Sequence, residues 1–252
     1  MASETQIQTL IHKLEEGGWA KWIRRALLAT AVAYVVYLWM GRQENGFNGL
    51  SHERSIEQAQ IAREIARGNG FSTKMIRPLA LWQFQKRTGT FPLETTPDTY
   101  HAPLNPWINS WFLRLTKSSW AMTPKEMGYA SDKMLAAVQL GFFLIAVLIN
   151  YFTVWRLFDQ KLATLVATLL LLCQRFWDFS MSGLPQMLML MIFSGAAYTL
   201  LRQIEARIAG RTSLWWSMGT GVLFGLLALT HALTLWIFGG ALVFSIDRKS
   251  VV

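Results

Sequence analysis

Charge is scarce in this chain. Asp, Glu, Lys and Arg make up 15% of its 252 residues, against roughly 25% in ordinary soluble domains, and that deficit argues against a soluble globular protein. Cysteine occurs once, at Cys173, so an internal disulfide is excluded; its apolar neighbours mark it as packing. No Cys, His and carboxylate residues recur at metal-ligand spacing, and no glycine loop of the phosphate-cradling kind is present. A metal site is therefore not expected. The pattern of a cleavable signal peptide is also missing, because the first apolar run starts late and lacks a small-residue cleavage site. The net charge of +9 could suit nucleic acid. Its basic residues, however, flank apolar runs or scatter through one long loop, without the clustered footprint that nucleic-acid binding needs.

What the chain has in abundance is apolar surface: 52% hydrophobic residues, 12 Trp and 15 Phe, with a mean hydropathy of +0.27. Several runs approach the roughly 20 residues that a bilayer demands. They cover 26–40, 136–155, 162–176 and 184–201, and a final region over 214–246. The third is short and is expected to continue through Phe176, with Arg175 reaching toward the interface. The last is interrupted at Thr230-His231, which suggests two shallow passes meeting there; one long tilted helix is the alternative.

Lys and Arg near span ends set orientation. Lys21, Arg24 and Arg25 precede the first run and place the N-terminus in the cytoplasm. Arg156 and Lys161, then Arg202, Arg207 and Arg211, then Arg248 and Lys249 all fall on the same side if there are six passes. The expected fold is thus an all-α polytopic membrane protein of the cytoplasmic membrane, with about six transmembrane helices and a large extracytoplasmic loop carrying amphipathic interfacial helices. Its parts are a cytoplasmic amphipathic helix at 1–18 (Ile7, Leu10, Ile11 and Leu14 on one face), a first span at 19–41, the loop at 42–131, and spans two to six over 132–252.

That loop is not a linker. Six of the seven prolines fall within its roughly 90 residues, and it is rich in Trp and Phe; long connections of this kind are usually functional. SIEQAQIAREIARGNG reads as a helix capped by Ser55 and stopped by Gly68-Asn69-Gly70. Its apolar strip is Ala59, Ile61, Ala62, Ile65 and Ala66. PWINSWFLRL reads as a second, with Pro106 at the first helical position. Two such helices would form a platform on the outer leaflet.

QIAREIARGNGFSTKMIRPL, followed by PDTYHAPLNPWINSWFLRL, resembles the first extracytoplasmic loop of GT-C glycosyltransferases, nearest to the family 39-like protein mannosyltransferases and the lipid A aminoarabinose transferases. FSMSGLPQMLMLMIFSGAAYTLLR and GLLALTHALTLWI add weaker echoes, with Gln186 where the family often has Glu. The resemblance covers about 41–246. It implies transfer of a sugar from a polyprenyl-phosphate carrier, with inversion, to an acceptor at the outer face. A carboxylate would act as general base, while cations stabilise the departing phosphate.

Nine residues before Arg63, where part of the family carries Asp, this chain has Arg54. The implied base is therefore Glu57 or Glu53. Arg77, Lys74 and Arg63 are the implied phosphate contacts, arginine having the fork that suits phosphate. His101 is implied in orienting phosphate or acceptor, and His231, if it lies at depth, is a further candidate. The family usually has eleven or more spans, so two rival readings stand beside the enzyme. One is a non-catalytic or partner-dependent subunit that meets a partner polypeptide; the other is a small transporter. Membrane lipid and the lipid-linked sugar donor are the expected partners; the sequence establishes no cofactor and leaves a divalent metal open.

Overall fold

The structure, a computed structural model, describes residues 49–50, 52–75, 77–90, 96–115 and 130–246, with single positions between 22 and 41. The amphipathic helix expected at 1–18 lies outside the described residues. Every described position from Trp22 to Gly41 is helical, and Val32 packs against the bundle core.

The chain is mostly helical. Its elements are α1 (Glu53–Arg67), β1 (Ser72–Thr73), α2 (Pro78–Thr88), β2 (Thr96–Pro97) and α3 (Leu104–Leu115). There follow α4 (Ala130–Leu157), α5 (Gln160–Leu172), α6 (Gln174–Ser182), α7 (Gln186–Ile208), α8 (Leu214–Thr230), a 3-10 turn (Ala232–Thr234) and α9 (Leu235–Ile246). Two helices, Ser131–Leu157 within α4 and Gln186–Ile208, are long and apolar enough to cross a membrane. The bent pair α5–α6 makes a third if it is one broken span, and α8 and α9 are shorter apolar helices.

The third apolar run does not continue as one helix through Phe176. It breaks at Cys173 with a bend of 56° between α5 and α6. A break strands helix carbonyls, which in an apolar setting need partners. The Trp177 indole N–H supplies one by donating to the Leu171 carbonyl at 2.9 Å. The final run is likewise interrupted at His231, whose extended backbone ends α8, so the single unbroken helix is excluded.

Side chains of α4, α5 and α7 make one core around Phe143, Val147, Ala167, Leu171 and Met187. A second joins α7 and α8 through Ile192, Ala196, Phe224 and Leu227, and Leu104 of α3 enters it. Polar pairs cross between the same helices: Asn150 Nδ2 donates to Ser194 Oγ at 2.7 Å, and Thr220 to Thr199 at 3.0 Å. Such pairs hold apolar helices in register.

Helix α1 does not lie flat on a surface. Leu50, Ala59 and Ala62 pack with Leu113 of α3 and Leu135 of α4, and Ser55, Glu57, Gln58, Arg63 and Glu64 are buried as well. Its cap is His52 rather than Ser55: the His52 carbonyl takes the Ser55 N–H at 3.0 Å and the Ile56 N–H at 3.1 Å, while the Ser55 hydroxyl also donates to it at 2.7 Å. Gly68 ends α1 in the left-handed region, φ 92°, as a glycine stop should. Helix α3 starts two residues before Pro106, and its Trp107, Trp111 and Leu115 form an exposed stripe. Helix α2 was not foreseen. Arg77 precedes it, Pro78 opens it, and Gly89 closes it with φ 72°.

Candidate functional site

Two short strands assemble the site. Ser72 pairs with Pro97 and Thr73 with Thr96, antiparallel, and Gln60 of α1 holds β1 by accepting from Thr73 Oγ1 and the Lys74 N–H, both at 3.1 Å. This hairpin-like contact brings the segments leaving β1 (Lys74 to Arg77) and β2 (Asp98 to His101) side by side against α1.

Glu57 is where they converge. It is 3% exposed, and its Oε2 accepts from Arg77 Nη2. His101 Nε2 lies 2.9 Å from the same oxygen without forming a hydrogen bond to it. On the other side of the ring, His101 Nδ1 lies 3.1 Å from Asp98 Oδ2, which also accepts the His101 backbone N–H at 2.9 Å. The Arg77 guanidinium stacks over the Tyr100 ring at 3.9 Å. The arrangement is a row of buried side chains, Asp98–His101–Glu57, ending on the half-exposed Arg77, over which Tyr100 stacks. Burial would push the Asp98 carboxyl up, but the two bonds from His101 and its charge outweigh that and hold it below the ordinary 3.8.

A second anionic centre lies two turns further along α1. Glu64, fully buried, accepts from Asn69 Nδ2 at 2.6 Å and Arg67 Nη1 at 2.7 Å; Lys74 Nζ is 3.4 Å away. Burial opposes ionisation here too, but Asn69, Lys74 and Arg67 together hold the pKa below the ordinary 4.5. Arg63 turns elsewhere and bonds Asp132 at the start of α4, 2.9 Å, with both side chains buried. Beneath these charges runs a line of amides: Asn105 Nδ2 donates to Gln58 Oε1 at 2.6 Å, and Gln139 Nε2 of α4 donates to Asn105 Oδ1 at 3.1 Å.

Of the residues singled out in the sequence, Glu57, Arg77 and His101 come together. Lys74 serves Glu64, Arg63 serves Asp132, and Glu53 points to solvent. His231 is exposed at the end of α8; its bonds are through backbone, to Leu227 and Thr234. Gln186 opens α7 with its Oε1 buried and unpartnered. Sequence reasoning missed Asp98, Tyr100, Glu64 and Asp132. Asp98 was detectable, since an acid three residues before a histidine in a proline-bounded turn is well placed to bond it; nothing local marks Asp132.

Beside the row opens a hollow of about 390 Å³, lined by Arg77, Asp98, Tyr100, Thr73, Met75 and Leu79 among others. A larger one of about 640 Å³ adjoins it, sharing Gln83, Thr96, Pro97 and Thr99 and extending along α2 to Lys86 and Arg87, and touches none of the Glu57 partners. The smaller hollow therefore reaches the row at Arg77 and Asp98. Among the described residues no group of His, Cys, Asp and Glu could hold a metal ion; Glu57 and Asp98 approach opposite nitrogens of His101, so their donors do not converge. Compared with known proteins, the chain matches no family model, and no curated protein or solved structure matches it.

Proposed function

We propose that this chain is a multi-pass membrane glycosyltransferase of GT-C type, with about six spans and its polar insert on the extracytoplasmic side. In this reading it moves a sugar from a polyprenyl phosphate to an acceptor hydroxyl. The observation that carries the reading is the burial of Glu57 between Arg77 and His101, beside a hollow, in the segment whose sequence resembles that family. Glu57 takes the proton of the acceptor hydroxyl. The oxygen then attacks the anomeric carbon, the carbon–oxygen bond to phosphate breaks, and polyprenyl phosphate departs with configuration inverted. In the resting arrangement Arg77 occupies Glu57 Oε2. An incoming phosphate offers Arg77 a second, two-oxygen partner, and transfer of the guanidinium to it leaves the carboxylate open to the acceptor. His101, fixed by Asp98 through Nδ1, keeps a ring nitrogen beside the same carboxylate, and Glu57 passes its proton to water once polyprenyl phosphate has left.

The test is direct. Purified protein given a polyprenyl-phosphate sugar should transfer the sugar, or hydrolyse it when no acceptor is present. Glu57→Gln should lower the rate at least about 100-fold, the usual worth of a positioned base, whereas Glu53→Gln should leave it near wild type. Full activity in Glu57→Gln would end the general-base assignment. Turnover that appears only when another polypeptide is added would identify the chain as a subunit.

A further inference from the structure

The opposite end of α4 carries a second charged assembly that the sugar-transfer reading does not use. Arg156 lies 24 residues beyond Asp132, about 36 Å along the helix at 1.5 Å per residue. Its Nε lies 2.7 Å from both carboxylate oxygens of Glu205 on α7. Arg202 Nη1 reaches the same carboxylate at 2.9 Å. Two guanidinium groups thus share one carboxylate, leaving a positive excess. The Arg202 guanidinium sits 4.9 Å from the centroid of the Trp216 ring, and its Nε is buried without an acceptor.

Against this cluster opens a hollow of about 430 Å³ walled by Phe152, Trp155, Tyr198, Arg156 and Glu205. Phe152 and Trp155 are exposed, and Arg207 and Arg211 lie exposed just beyond, at the end of α7. Aromatic rings and cations at the ends of apolar helices mark the level of lipid headgroups. A basic pocket between such helices has the chemistry to take an anionic headgroup. Arginine suits the task, because its planar fork meets two phosphate oxygens at once.

We propose that this hollow binds the phosphodiester headgroup of an anionic phospholipid, drawn from the leaflet that this end of the bundle meets. Glu205 holds the two arginines in place while the site is empty of lipid and competes with the phosphate for them. The aromatic walls take the glycerol and upper acyl carbons. This proposal does not depend on the Glu57 reading.

The full chain, purified in detergent, would be titrated with phosphatidylglycerol and with phosphatidylcholine, and retained lipid counted by native mass spectrometry. Phosphatidylglycerol should bind at least about fivefold more tightly, the worth of one arginine near a charged headgroup. Arg156→Gln should remove that preference. Glu205→Gln, which frees both arginines, should strengthen phosphatidylglycerol binding by several-fold, a direction that loss of a structural bond would not produce. The Glu205→Gln arm decides the matter even if Arg156→Gln fails to fold. Equal affinity for the two lipids, or no change in Glu205→Gln, would overturn the proposal. Displacement of the lipid by millimolar inorganic phosphate would assign the site to a soluble anion instead.

Discussion

Asp98 and Glu64 are buried acids kept ionised by their neighbours, and this makes the insert sensitive to acid in a definite direction. Both carboxyls lie below their ordinary values in the folded protein, so each stabilises the fold at any pH above the ordinary value. That contribution fades as pH falls below about 4–5 and through the lowered folded values. Protease resistance of the insert should therefore hold from neutral pH down to about pH 5 and decline below it. Asp98→Asn should flatten the decline; an unchanged profile in that variant would show that the His101 bonds contribute nothing to stability. At this scale the sequence was informative about residue types and less so about partners. Glu57, Arg77 and His101 sit 20 and 24 residues apart along the chain and meet through a two-residue strand pair that no periodicity announces. Glu53 and Glu57 share a helix face, but Glu53 lies at the exposed start of α1 whereas Glu57, one turn further in, is covered by Arg77 and His101.

Among the elements, the end of α6 meets Leu50, in the segment leading into α1, at a tight point. Gly183 closes α6 with φ 72°, and a Cβ placed there would stand 2.6 Å from Leu50 Cδ2. Gly183→Ala should lower stability by about 1–2 kcal/mol from backbone conformation alone, and by more from the clash, as read by thermal unfolding in detergent. Leu50→Ala in the same chain should restore the steric part only; no recovery would mean that the contact is not what the substitution disturbs. The long helices were legible because apolar runs of 20 or more residues have few alternatives in a chain this poor in charge. The break at Cys173 was not, because no proline or glycine marks it and a tryptophan six residues after Leu171 repairs it. The buried polar face of α1 was also hidden. Its apolar strip is real, but partners distant in sequence, Asp132, Asn105 and Gln139, draw the polar strip inward too.

For the molecule as a whole, the proposed six-pass arrangement puts the insert and the Arg156–Glu205 end on opposite sides of the membrane. Single cysteines at Lys86 and Arg207, in a Cys173→Ser background, should be labelled from opposite faces of sealed vesicles by a membrane-impermeant maleimide. Labelling of both from one face would discard the six-pass arrangement and with it the extracytoplasmic placement of Glu57. The amide line from Gln58 through Asn105 to Gln139 has a consequence at this scale. It keys the helix bearing Glu57 into α4, a helix long enough to cross a membrane, with hydrogen bonds that tolerate only a few tenths of an ångström of slip. A spanning helix adjusts its lean to the width of the hydrocarbon layer around it. Geometry at the carboxylate is then tied, bond by bond, to the thickness of the surrounding lipid.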